Sequence, residues 1–293
     1  MKGCARTCLL SLLFWLAASA AFYVYFRGFG VLEPQIYWAA GGAGLCVSIA
    51  ISYVIGIYMM SKERSMLLGA MVGRPPDDGK WVAVSGTIRS LNPLRAPLSG
   101  ISVVVYSYEM YRMERSGKST AKVTYYEGKA LTPSTIASKQ GAIRLFAVPT
   151  LDVPIESVDI STARANARDY VERTRFEKTT RQPFGTDKEH SDDDGAYRVD
   201  KKPVDREIDI ADCVLEEKHI KQGEMVCAFG LYSSRRGGLV PHPNWSKPAR
   251  IMRGDANAVV DQLRTRMMKY AFGFVFFSAA AFGIVKLYRS AFN

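Results

Sequence analysis

Three uncharged apolar stretches dominate the sequence: Cys8 to Phe26, Ile36 to Met60 and Tyr270 to Val285. A helix rises about 1.5 Å per residue, so roughly 20 apolar residues cross the hydrocarbon core of a bilayer. All three read as membrane spans, and the long polar stretch between the second and third reads as one globular domain beside the membrane. Tyr23, Tyr25, Tyr37, Trp38, Tyr58 and Tyr288 fall near the segment ends, where aromatic rings favour the interface. Lys286 has a stem long enough to snorkel. Gly41, Gly42, Gly44 and Gly56 give the second segment thin faces for close helix contacts.

The first stretch also carries features of a signal peptide, with Lys2 and Arg6 ahead of it and Ala18-Ser19-Ala20 resembling a cleavage site. The apolar run continues through Tyr25 and Phe26, which favours an uncleaved anchor. Lys62 and Arg64 follow the second stretch, and Arg264, Arg266 and Lys269 precede the third. With Lys2 and Arg6, these place the N-terminus and the domain in the cytoplasm by the positive-inside rule, Lys286 and Arg289 pulling weakly the other way. The expected layout is two membrane helices within 1–60, a stalk at 61–79, a domain at 80–268 and a third span at 269–287.

The net charge is +11, and outside 61–270 the only charged residues are Lys2, Arg6, Arg27, Lys286, Arg289 and Glu33, so the domain itself is basic. Nucleic-acid readers use such charge to neutralise phosphates. Here the charge is dispersed and the chain tethered, so membrane lipids are the expected partner and nucleic acid is not. Cys4, Cys8 and Cys46 lie in or near apolar stretches. Cys213 and Cys227 have no zinc-ligand spacing and read as small buried side chains in a reducing compartment. No metal or cofactor is expected.

At the end of the stalk, Arg-Pro-Pro-Asp-Asp-Gly at 74–79 breaks any helix. Valine- and tyrosine-rich runs predict strands at 81–88, 101–113, 122–126, 142–148, 157–160, 225–232 and 249–252. Asn92 to Gly100, with Pro93 and Pro97, reads as a loop. Helices are expected at 163–175 and 254–268, the latter running into the third span. The polar stretch 185–206 reads as a mobile excursion. The fold class is therefore a membrane protein with α-helical spans and a β-rich (α+β) domain inserted before the last span.

Residues 84–112 and 216–241 resemble the two halves of the GIDE domain, also called the BAM or beside-a-membrane domain. Val84, Gly86, Ala96, Pro97, Ser99, Gly100, Val105 and Tyr106 fill the places of its opening strand, loop and second strand. Glu216, Gly223, Val226 and Gly230 fill those of its later hairpin, ahead of a variable turn at Arg235 to Gly238. A helix leading into a last span, here Asp255 to Arg266, is a further family trait. The best-known members are mitochondrial ubiquitin ligases with a RING zinc domain after that span. This sequence runs only to Asn293 and has no Cys/His cluster for two zinc ions, so ligase activity by that route is not expected. The resemblance implies a sensing or scaffolding role, as in prokaryotic members without RING, in a bacterial inner membrane. A part in a ligase-type system follows by family association only.

Signals for chemistry are weak. His190, His219 and His242 have no adjacent nucleophile motif, and His219 reads as lying in a charged turn at the surface. Asp192-Asp193-Asp194-Gly195 fails as a calcium loop, because Lys201 stands where a bidentate glutamate is required. Gly230, Gly237 and Gly238 lack a following Gly-Lys-Ser/Thr and read as hairpin glycines that allow positive φ. Arg235 and Arg236 offer an anion or lipid contact, against the plainer reading of a solvated turn. The expectation is a non-enzymatic module that binds an unidentified protein or small molecule. An enzyme with a site gathered from separated loops and a transporter or channel subunit are the rivals; the uncharged interiors of the first two spans argue against the latter, though a homo-oligomer could still line a pore.

Overall fold

The structure is a computed structural model that describes residues 2–28, 33–117, 119–146, 148–178, 190–191, 197–204, 206, 208–241 and 249–292. It contains the helices α1 (Lys2–Arg27), α2 (Glu33–Met71), α3 (Ile160–Arg173) and α4 (Ala256–Phe292). Two compact units are present: residues 1–65 with 260–293, and residues 66–259.

In the first unit, the described parts of α2 and α4 are long and apolar enough to cross a membrane; of α1, the part whose side chains are described, Leu12–Arg27, is a shorter apolar stretch. Small residues set the helix contacts. Gly44 lies against Ser19, where an added Cβ would stand 2.8 Å from the Ser19 amide nitrogen. Gly56 faces the Tyr270 ring, and Ile284 lies 3.6 Å from where a Cβ on Gly42 would sit. The Gly41 carbonyl accepts a hydrogen bond from Trp15 Nε1 at 3.2 Å. Gly273 plays the reciprocal part on α4, facing the Tyr53 ring. Phe26, Ile36, Ala39, Ala40 and Ala43 form a buried cluster with Ile284, Val285 and Tyr288 against it.

Among the described residues, the second unit contains fifteen strands: β1 (Trp81–Ser90), β2 (Leu94–Arg95), β3 (Ser102–Val103), β4 (Val105–Ser116), β5 (Ser119–Leu131), β6 (Ser134–Ser138), β7 (Gly141–Leu145), β8 (Thr150–Asp152), β9 (Glu177–Lys178), β10 (His190–Ser191), β11 (Tyr197–Lys202), β12 (Val214–Ile220), β13 (Met225–Ser233), β14 (Gly238–Val240) and β15 (Arg250–Arg253). Five of them close on themselves in the order β1-β6-β7-β14-β13 and back to β1. Every contact in the ring is antiparallel except β7 with β14. Closure of this kind removes free sheet edges, as in small five-stranded Greek-key barrels. β15 and β8 extend from β13. The barrel core holds Val84, Ile88, Ile136, Val226 and Leu239, with Ile251 of β15 packed in the same cluster. Burying each such side chain is worth about 1.5–3 kcal/mol.

A second sheet, β10-β11-β5-β4-β12 with β9 beside β11, grows from the barrel. Its near end, Val105, Leu131 and Ile220, belongs to the barrel core. Further out, Tyr106, Tyr108, Met110, Tyr126 and Ala130 pack with Ala163 and Ala167 of α3 on one face. Asp159 caps α3, its carboxylate accepting from the Thr162 amide at 2.9 Å. That cap is why the expected strand at 157–160 is absent: Asp159 satisfies a free helical donor, and Ile160 begins the helix.

Other expectations change as well. Within the polar stretch 185–206, Tyr197–Lys202 is a strand paired to β5 and His190–Ser191 pairs with it, whereas 185–189, 192–196 and 205 lie outside the described residues. The Asp192–Gly195 turn and His242 also lie outside them. The hairpin expected across Gly223 is a crossing between sheets: β12 pairs with β4 and β13 with β1. The local hairpin is β13–β14, across Arg235 and Arg236. His219 is no surface turn residue; it lies in β12 at 2% exposure.

Cys213 and Cys227 are buried, free thiols. Burial pushes the Cys227 thiol up to about 11, against a lowering hydrogen bond with Ser85. Cys227 is therefore expected to stay unmodified by maleimide at pH 7.5 in the folded protein and to react once urea unfolds the domain, since the thiolate is the nucleophile. Rapid labelling in the native state would contradict this burial.

Candidate functional site

Strand alternation sends the neighbours of the α3-facing tyrosines to the opposite face of the second sheet. Register places Val199, Lys129, Ser107 and Lys218 in one row across β11, β5, β4 and β12. The next row outward is Lys201, Glu127, Glu109 and Glu216. Both rows line a cavity of ≈ 450 Å³, walled on another side by Val148, Pro149, Thr150 and Leu151.

The two rows differ electrostatically. Glu109 accepts from Lys122 Nζ at 2.8 Å and Thr124 Oγ1 at 2.5 Å. Burial opposes ionisation of Glu109, but these bonds prevail and hold its carboxyl below the usual range. Glu216 accepts from the Tyr111 hydroxyl at 2.8 Å. In the inner row, Lys129 and Lys218 flank Ser107 and are half-buried, and among the described residues neither has an ion-pair partner. Ser107 supplies a hydroxyl between them. Two lysines and a serine that neighbour one another across three strands and line one partly apolar cavity can hold an anionic group.

Behind the cavity, the α3-facing side of the sheet carries two buried polar networks. Asp200 Oδ1 accepts from the Tyr108 hydroxyl at 2.6 Å and the Tyr170 hydroxyl at 2.9 Å, and Tyr170 shares a further bond with Tyr106 at 3.2 Å. Burial, with the Asp200 charge beside it, raises the Tyr108 phenol well above its ordinary value, so it remains a neutral donor. Gly128 is required here, because an added Cβ would stand 2.6 Å from the Tyr108 ring. Glu217, 2% exposed, accepts from the Leu98 amide at 2.7 Å, the Ser99 amide at 3.3 Å, Ser99 Oγ at 2.5 Å and His219 Nδ1 at 3.1 Å. Arg253 reaches Glu156 at 2.6 Å, Glu224 at 3.1 Å and the His219 carbonyl at 2.8 Å.

These networks hold elements together and lack the geometry of a nucleophilic relay. Ser99 and His219 bond the same Glu217 oxygen, so the serine proton points at the carboxylate and not at the imidazole. His219 Nε2 lies 4.0 Å from Glu156 with no hydrogen-bond partner among the described residues. No group of three or more His, Cys, Asp or Glu side chains suited to a metal ion occurs among the described residues.

Of the family-motif residues and the two arginines singled out in the sequence, Glu216 lines the cavity, as does Lys201, the residue that breaks the calcium-loop pattern. Val84, Pro97 and Tyr106 are buried. Gly86 pairs with Ser138 at one end of the β1–β6 pairing, Gly100 (φ +69) and Gly223 (φ +84) turn the chain, and Gly237 has φ +63. Gly230 does not have positive φ; it makes room for Leu239 and Ala249. Arg235 and Arg236 are exposed at the β13–β14 turn, with Arg236 5.9 Å from the Phe146 ring. Lys129, Ser107 and Lys218 carried no local signal; a correct strand register was needed to unite them. Compared with protein-family models, curated proteins and solved structures, the chain matches none.

Proposed function

We propose that this chain is a multi-pass membrane protein whose β-rich domain binds a ligand beside the bilayer, on its cytoplasmic face. The observation that carries the binding role is the cavity on the open face of the second sheet, where Lys129 and Lys218 stand half-buried around Ser107. The membrane placement is supported by α2 and α4. The most apolar stretches of these helices are only 17% and 6% buried, which supports a lipid-facing role over that of a core helix in a soluble fold. Trp38 is 84% exposed and Phe272 75%, the kind of surface a lipid phase covers. Lys62, Arg64, Arg264, Arg266 and Lys269 stand on the domain side of these helices, as the positive-inside rule requires of a cytoplasmic domain. The resemblance of residues 84–112 and 216–241 to the GIDE/BAM domain supports a beside-membrane role and a bacterial inner membrane.

Membrane fractionation of the expressed full-length protein tests the placement. It should stay in the pellet through an alkaline carbonate wash and require detergent for release. In spheroplasts, external protease should leave the domain intact. Release by carbonate, or digestion from outside, would overturn the placement.

A further inference from the structure

We propose that the cavity of the second sheet binds an amphiphile with one anionic head group: a phosphate or carboxylate head held by Lys129, Ser107 and Lys218, with its apolar body against Val148, Pro149 and Leu151. The proposal rests on the ligand-binding reading above and names the ligand class for the same cavity.

The head site follows from which charges are already satisfied. In the outer row Glu109 is engaged by Lys122 and Thr124, and Glu216 by Tyr111. In the inner row Lys129 and Lys218 sit on strands on either side of β4, so their ammonium groups repel across Ser107. An anionic oxygen between them relieves that repulsion and accepts the Ser107 hydroxyl. The body site follows from the wall: Val148, Leu151 and Val199 are buried apolar residues lining the same cavity. Discrimination against a second anionic group follows from the outer row. Residues two apart along a strand are separated by about 7 Å, so a second anionic group would fall in the row where Glu109, Glu127 and Glu216 outnumber Lys201. A second phosphate or carboxylate is therefore disfavoured at this face even though the domain is basic overall.

A lipid and a soluble organic acid share this head chemistry, and the test separates them. Full-length protein is reconstituted in phosphatidylcholine nanodiscs, and thermal unfolding of the domain is followed with three probes: octyl phosphate, inorganic phosphate, and discs containing 10 mol% phosphatidic acid. Octyl phosphate should raise the midpoint, with an affinity at least tenfold above that of inorganic phosphate. The double variant Lys129→Gln/Lys218→Gln should lose at least tenfold in that affinity while its unliganded midpoint stays within a few degrees of wild type. Stabilisation by phosphatidic acid that depends on the two lysines would identify a lipid as the source. Stabilisation by octyl phosphate alone would identify a soluble amphiphile. Unchanged binding in the double variant, equal affinity for inorganic phosphate, or no shift with any probe would each overturn the proposal. Because the fractionation experiment reads membrane placement without any ligand, failure here leaves that placement standing, and the reverse also holds. Ser107→Ala serves as a second variant, with a smaller loss expected, should the double variant fail to fold.

Discussion

Replacing Glu217 with alanine is expected to lower the stability of the β-rich domain by about 3–5 kcal/mol, as when one partner of a buried charged network is removed. The loss reaches beyond one side chain. The Leu98 and Ser99 amides, the Ser99 hydroxyl and His219 Nδ1 all donate to this carboxylate, and each would be left facing a cavity. The 94–101 loop would lose its tie to β12. Domains are stable by only about 5–15 kcal/mol, so pulse proteolysis of the full-length protein across a urea series should register a large drop in the unfolding midpoint. Glu217→Gln keeps the shape and part of the hydrogen bonding, and about half the loss is expected. An alanine effect below about 1 kcal/mol would mean the carboxylate does not anchor the loop.

The same group has a pH consequence. Burial opposes its ionisation, but hydrogen bonds from His219, Ser99 and the Leu98 amide prevail, so the Glu217 carboxyl lies below its ordinary value in the folded domain. A depressed carboxyl contributes stability that is full above the unfolded value of about 4.3 and is lost as pH falls through the lower folded value. The midpoint should therefore fall between pH 5 and pH 3 in the wild type, and fall less steeply in Glu217→Gln, when the full-length protein is melted in detergent across that range.

The second large effect is expected at Gly86. A Cβ there would stand 2.7 Å from the Ala137 carbonyl carbon and 2.9 Å from Ser138 Cα. Both are backbone atoms of β6, held in the ring by pairing to β1 and β7, so no rotamer change relieves the overlap. Gly86→Ala should cost the upper end of the ~1–3 kcal/mol typical of overpacking. Gly69→Ala is the control: Gly69 lies in α2 with nothing within 4 Å of an added Cβ. It should gain up to about 1 kcal/mol from helix propensity. Equal behaviour of the two variants in the same urea series would contradict the close approach of the β6 backbone to Gly86.

These residues mark the limit of what was legible in the chain. Gly86 stands out as a glycine inside a valine-rich strand, yet the atoms that exclude a side chain belong to a strand some fifty positions later. Glu216 and Glu217 are adjacent, and the sequence offers no reason to rank one above the other. The first faces the cavity and the second is buried. Strand β12 alternates Leu215, Glu217 and His219 on one face with Glu216 and Lys218 on the other. Both faces carry charge, so no hydrophobic alternation announces which one is inside. The same ambiguity placed His219 at the surface in the sequence reading. Lys129, Ser107 and Lys218 become one site only through the pairing of three strands.

What the chain determined alone were features encoded within a few turns or residues: the apolar runs of α2 and α4, the helix break after Met71, the valine- and tyrosine-rich strands, and the turn glycines at 100, 223 and 237. Each depends on a side chain's own preference for apolar surroundings, a pleated backbone or positive φ. Only the tertiary structure decided that β12 and β13 part into different sheets, that five strands close into a ring, and that two lysines converge on one serine. Those outcomes depend on which distant backbones pair and in what register, and a shift of one residue would turn every side chain to the opposite face.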